Sequence, residues 1–317
     1  MRVLFWGTPE FATPALRALI GEGFDVCGVV TQPDRPVGRS RSTVQPSPVK
    51  QIAVDEGIPV LQPERPRGEE FLAELARMQP DLSVVVAYGH ILQKSVIDLP
   101  RRGTVNIHAS LLPALRGAAP IQAAIRAGVH ETGVTIMRMV PPLDAGPIML
   151  QARTPVLDDE TYGELSLRLS ELGALTLIEA LSLIELGDAR EEPQDERFAT
   201  YASKIDRAST RIDWGAPANN VSRVIRSLDP KPGALTMLRG ADVKLFGARL
   251  APHGASVPAG QIQSIEDDGM VVACGEGAVR IAVVQPAGKR RLSPNDWARG
   301  RGAAAGDRFD SSPTTVS

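Results

Sequence analysis

Short apolar runs alternate with amphipathic stretches through the first half of the chain. Val3–Trp6, Asp25–Thr31, Pro59–Leu61, Leu82–Ala87 and Thr104–His108 read as strands. Helical spacing fills the intervals: Pro9–Ile20 with an early proline, a helix from Ser47-Pro48 to Glu56, Gly68–Met78 and Ala119–Ala127. Leu82–Ala87 has almost no polar interruption, as expected of a strand buried on both faces. Val134–Met139 and Pro147–Gln151 form a strand pair, turning through Pro141-Pro142-Leu143-Asp144-Ala145-Gly146. Thr161 with Glu164 makes a capping box that opens a long helix to about Gly187. The alternation predicts an α/β fold with a doubly wound, mostly parallel sheet.

The pattern then changes. Residues 190–206 are charged and irregular and read as a linker between a first domain, 1–189, and a second, 207–317. One helix is predicted from Pro217 to Ser227. Strand-like runs follow at Leu235–Leu238, Val243–Phe246, Gln261–Ile265, Met270–Cys274 and Val279–Val284, separated by turn residues. About five short strands in roughly 100 residues predict a small β-barrel. The tail from Gly300, rich in Gly, Ala, Ser and Thr, is expected to be partly disordered.

A chain of 317 residues, 43% hydrophobic and 23% charged, fits two globular domains. No apolar run approaches the roughly 18 residues of a membrane helix, so no membrane association is expected. The start, Met1-Arg2-Val3-Leu4-Phe5-Trp6-Gly7, reads as a first strand and not a signal peptide. Cys27 and Cys274 lie far apart and read as buried free thiols, which fits a reducing cytoplasm. Two cysteines and four scattered histidines show no zinc spacing, so no metal is expected. The net charge of −2 hides an asymmetry. Residues 1–189 carry 17 basic and 22 acidic side chains, and residues 207–317 carry 15 basic and 10 acidic. A basic second half on a mildly acidic protein suggests that a polyanion meets that half.

The first strand-to-helix turn, Gly7-Thr8-Pro9-Glu10-Phe11, holds one glycine where a dinucleotide fingerprint needs three, which argues against a nicotinamide enzyme. The chemistry concentrates elsewhere. Asn106 and His108 stand two apart at the end of a strand and so share a face. Open α/β sheets place their ligands where strands run out into loops. Ser110-Leu111-Leu112-Pro113 and Arg116-Gly117 follow, and Asp144 lies in the turn downstream. An amide, an imidazole and a carboxylate can move protons and hold a developing oxyanion.

These segments, together with Thr31-Gln32-Pro33-Asp34-Arg35-Pro36, Ala208 to Trp214 and the Asp229-Pro230 turn, resemble the methionyl-tRNA formyltransferase family along essentially the whole chain. The Asn-x-His and Leu-Asp-x-Gly elements alone are shared more widely, with glycinamide ribonucleotide and sugar-amine formyltransferases. The resemblance implies a Rossmann-like formyltransferase domain followed by an OB-like barrel, and a monomer. It implies 10-formyltetrahydrofolate as formyl donor, tetrahydrofolate as product and initiator methionyl-tRNA as acceptor. Asn106, His108 and Asp144 would be catalytic. Ser110, Leu111, Leu112 and Pro113 would contact the folate, with Tyr88 and Gly89 lining the pterin pocket. Arg39 and Arg41, in a basic Gly/Ser-rich loop, would meet the tRNA, as would Lys204 and the cluster Lys289-Arg290-Arg291. Ser42-Thr43 stands where lysines are common in the family, which lowers the loop's charge.

Two other readings compete. A formyl-folate enzyme with a small amine acceptor, such as an amino sugar, would share the Asn106–Asp144 elements, with the basic second half incidental. A non-enzymatic RNA-binding protein on a retired catalytic domain predicts loss of His108 or Asp144, and both are present.

Overall fold

The computed structural model describes residues 1–37, 43–252 and 257–310. The chain folds as two compact units. The first comprises Met1–Gly117, Glu131–Pro155 and Ser166–Tyr201, and the second Ala118–His130, Val156–Leu165 and Ala202–Ser317.

The first unit is built on a seven-stranded sheet: β1 (Arg2–Gly7), β2 (Asp25–Val30), β3 (Val60–Leu61), β4 (Leu82–Val86), β5 (Thr104–His108), β6 (Glu131–Arg138) and β7 (Ile148–Pro155). The spatial order is β7-β6-β5-β4-β1-β2-β3. The first five strands in sequence run parallel, β6 runs antiparallel beside β5, and β7 pairs antiparallel with β6 at the edge. Side-chain alternation divides the apolar residues between the faces. Val3, Phe5, Val84, Val86, Val105 and Ile107 enter one core with α1 (Thr13–Gly21) and α2 (Pro48–Asp55). Leu4, Trp6, Val30 and Val85 enter the other, with Phe71 and Leu75 of α3 (Glu69–Arg77). The order reverses beside β1, so the carboxyl ends of β1, β4 and β5 share one edge with the loops that leave them.

Local signals act close to where they lie in sequence. Ser47 caps α2 by accepting from the Lys50 N–H at 3.1 Å. Glu164 accepts the Thr161 N–H at 2.9 Å, the Thr161 hydroxyl accepts the Glu164 N–H at 3.3 Å, and the helix Tyr162–Leu186 follows. The helix expected from Pro9 instead opens as a short 3-10 turn, Glu10–Ala12, before α1 begins at Thr13. Arg35–Val37 pairs antiparallel with Thr43–Gln45, a strand pair that polar, Pro- and Gly-rich sequence does not announce.

In the second unit, six antiparallel strands follow the helix Ala218–Ser227. They are β8 (Ala234–Leu238), β9 (Ala241–Ala251), β10 (Ile262–Glu266), β11 (Gly269–Ala273), β12 (Ala278–Pro286) and β13 (Phe309–Asp310), in the order β10-β11-β12-β9-β8-β13. An isolated bridge between Gln261 and Arg308 joins the two ends of this order, giving the barrel-like closure expected. The core inside holds Trp214, stacked on Phe309 at 5.4 Å, with Trp297 beside them. Of the tail from Gly300, expected to be partly disordered, residues 300–310 are ordered, and 311–317 lie outside the described residues. Ala303 and Phe309 are buried and β13 pairs with β8, because Phe309 fills a core position that the five anticipated strands leave open. Both cysteines are buried free thiols.

Candidate active site

Asn106 and His108 sit on β5, whose neighbours are β4, parallel, and β6, antiparallel. Val105 and Ile107 turn into one core, which fixes Asn106 and His108 on the opposite face. His108, the last residue of the strand, is 5% exposed. Its Nε2 lies 2.9 Å from the Leu115 carbonyl oxygen, a distance that makes Nε2 the protonated donor. Its Nδ1 lies 3.7 Å from Asp144 Oδ2, within ion-pair range and beyond a hydrogen bond. The Asn106 side chain is half-buried, and its amide has no hydrogen-bond partner among the described residues. It is the free donor of the group.

The Ser110–Pro113 turn is fixed from below. Thr135 of β6 is fully buried, and its Oγ1 donates to the Ser110 carbonyl at 2.7 Å. The same oxygen accepts the Leu112 N–H at 3.1 Å and a Gln151 Nε2–H at 2.9 Å. Gln151 also donates to the Leu112 carbonyl at 2.9 Å. Leu112 is buried in packing, whereas Leu111 and Pro113 are half-buried. Leu111 leans over Gly133, where a Cβ would come within 2.6 Å of its Cδ2 and 2.1 Å of the Ala152 carbonyl oxygen.

Asp144 has φ of +50° in the turn between β6 and β7. Its Oδ2 accepts the Gly117 N–H at 2.8 Å. Gly146 closes the same turn so tightly that a Cβ would lie 1.7 Å from the Arg138 carbonyl oxygen. Arg116 is 2% exposed and forms a fork with Glu196 at 2.9 and 2.8 Å, which keeps its guanidinium charged.

Other predicted residues divide. Tyr88 turns its ring into the core against Trp6, at 5.2 Å. Its hydroxyl has no partner among the described residues, and burial pushes its pKa up to about 12. Only the Tyr88 backbone therefore belongs to the loop edge: its carbonyl accepts from Thr8 at 3.1 Å and Gln32 at 3.0 Å. Gly89 is exposed with φ of +92°. Arg39 and Arg41 lie outside the described residues.

In the second unit Lys204, Lys289 and Arg290 are exposed. Lys204 directly precedes, and Lys289 directly follows, segments that line one cavity of about 540 Å³. Arg207 and Lys244 also line it, and no sequence motif distinguishes either of them. Arg291 differs from its two neighbours. It stacks on Phe246, 3.7 Å from the ring centroid, and donates to the Pro230 carbonyl. Its guanidinium covers the aromatic face while staying hydrogen-bonded, and the residue remains exposed.

The chain belongs to the formyl transferase family. Residues 1–181 match the family described as formyl transferase, and residues 204–302 the formyl transferase C-terminal domain. It is 49% identical to a protein of Methylococcus capsulatus named methionyl-tRNA formyltransferase, over 98% of this chain and 99% of that one. A protein of the same name from Moorella thermoacetica is 45% identical over 95% of this chain and 96% of that one. The fold resembles HypX from Aquifex aeolicus, solved in complex with tetrahydrofolic acid, with a TM-score of 0.66 and 21% identity. That match covers 95% of this chain and 47% of HypX, so the chain spans about half the length of that protein. An N-formyltransferase from Helicobacter canadensis, solved with folinic acid and dTDP-3-aminofucose, aligns with a TM-score of 0.64 and 15% identity. It covers 92% of this chain and 99% of that one. No helix among the described residues is long and apolar enough to cross a membrane.

Proposed function

We propose that this chain transfers the formyl group of 10-formyltetrahydrofolate to the α-amino group of initiator methionyl-tRNA. The observation that carries the chemistry is the free Asn106 amide beside His108, whose ring is held between Leu115 and Asp144. The α-amino nitrogen bonds to the formyl carbon, and negative charge gathers on the formyl oxygen. Asn106 donates an N–H to that oxygen, a contribution of about 3 kcal/mol for one such donor. His108 acts as the second donor and must release Leu115 to do so. Asp144 holds the imidazole and receives the amine proton, directly or through a water. The bond from the carbonyl carbon to the folate N10 then breaks, N10 takes a proton, and tetrahydrofolate leaves. No covalent enzyme intermediate is required.

Ser110–Pro113 and the Tyr88-Gly89 backbone form the folate side, where fixed backbone groups and apolar walls suit a flat heteroaromatic ring. The second unit serves the tRNA, with Lys204, Lys289, Arg290 and Arg291 along its phosphates and the loop of Arg39 and Arg41 at the acceptor end. Purified protein supplied with 10-formyltetrahydrofolate and either charged initiator tRNA or an amino sugar tests the assignment. Formylmethionyl-tRNA is the expected product, and formylation of the sugar alone refutes the choice of acceptor.

A further inference from the structure

We infer that Gln194, locked in orientation by Arg116, is a positioning residue for Asp144; this rests on the reading of Asp144 as a working member of the site. Gln194 lies in the charged segment beyond the long helix, 50 residues from Asp144 in sequence. Its Oε1 accepts Nε and Nη2 of Arg116 at 3.0 and 2.7 Å. Its Nε2 must then face the other way, and it donates to the carbonyls of Asp144 at 2.8 Å and Gly146 at 2.7 Å. A flipped amide would set two donors against two donors and an oxygen against two carbonyls. Arg116 leaves no such choice, because it is buried and the other edge of its guanidinium is taken by Glu196.

Asp144 needs the support. Its positive φ is an uncommon conformation for a side-chain-bearing residue, and such conformations persist when the surroundings over-determine them. Two contacts fix the residue here: the Gly117 N–H on the carboxylate and the Gln194 amide on the backbone. With both in place, Oδ2 stays beside His108 Nδ1. Loss of the Gln194 amide frees the turn and leaves two loop carbonyls without their donor.

Kinetics on the full chain test this with Gln194→Leu, Asp144→Asn and the double variant. Gln194→Leu is expected to lower kcat roughly 10- to 100-fold, the range that misplacing a catalytic group by about an ångström produces. The KM for 10-formyltetrahydrofolate should stay within about threefold of wild type. In the Asp144→Asn background the same substitution should cost less than about twofold, since a residue acting through Asp144 has nothing left to position. Losses that multiply in the double variant overturn the inference. So does normal turnover by Gln194→Leu while Asp144→Asn is impaired. Full turnover by Asp144→Asn overturns instead the role of Asp144 itself. Gln194→Glu has the same size and keeps the Arg116 pairing, so it carries the test if Gln194→Leu does not fold.

Discussion

Thr135→Val removes one hydroxyl from beneath the Ser110–Pro113 turn and changes almost nothing in volume. The hydroxyl is bonded to the Ser110 carbonyl, the Leu112 N–H and Gln151. Ser110 and Leu112 are 1% and 3% exposed, so water does not readily replace the lost partner. A buried polar group left unsatisfied costs about 1–3 kcal/mol. Two orphaned backbone groups therefore cost about 2–6 kcal/mol, and a pivot of the Gln151 amide toward the Ser110 carbonyl brings the expectation to about 3 kcal/mol. Thr135→Ser keeps the hydroxyl, loses a methyl group and should cost about 1 kcal/mol. Native-state hydrogen exchange over Thr104–His108 and the turn reads the first unit separately from the second. The Leu112 amide, freed of its acceptor, should exchange fastest relative to wild type. If Thr135→Val lies within about 0.5 kcal/mol of Thr135→Ser, the hydroxyl is not what secures the turn.

Three further outcomes are expected. His108→Ala should lower kcat by about 10²-fold or more while folate binding, measured by fluorescence titration, changes little; near-normal turnover would remove His108 from the mechanism. Thr161→Ala should destabilise the protein by about 1 kcal/mol through loss of the cap on the helix Tyr162–Leu186, and an unchanged urea midpoint would contradict that. Asp81 accepts the Arg2 N–H and pairs with Arg101, contacts that hold its carboxyl below the usual aspartate range. Because the folded value is the lower one, its stabilisation is present above about pH 4 and is lost as pH falls through the folded value. The melting temperature of Asp81→Asn should fall short of wild type at about pH 6 and converge with it at acid pH; a constant gap would show that the charge is not responsible.

The strand ends were legible because their evidence is local. Thr104–His108 announces itself by alternation, and period two places Asn106 and His108 together without knowledge of the fold. The capping signals at Ser47 and Thr161 are equally short-range. Gln194 was not legible, since nothing near it in sequence says that a glutamine among charged residues reaches Asp144. The same holds for Thr135, whose hydroxyl looks like any β-branched strand residue until the turn is laid over it. Arg291 sits in a basic triplet, yet packing on Phe246 separates it from Lys289 and Arg290. Phe309 escaped notice because its neighbours have the composition of a tail, whereas its burial depends on Trp214, far away in sequence.

The second unit draws Ala118–His130 and Val156–Leu165 from inside the span of the first. Among the borrowed pieces is the helix Pro120–Ala127, which packs against the helix Ala218–Ser227, with Arg126 donating to Ser227 across 101 residues of chain. On the ribosome the earlier helix is made long before its partner. Its buried residues include Ile121, Ala124 and Ile125. A chain ending before Ala218 would carry the helix Pro120–Ala127 without the helix it packs against, and apolar surface left exposed in that way favours aggregation.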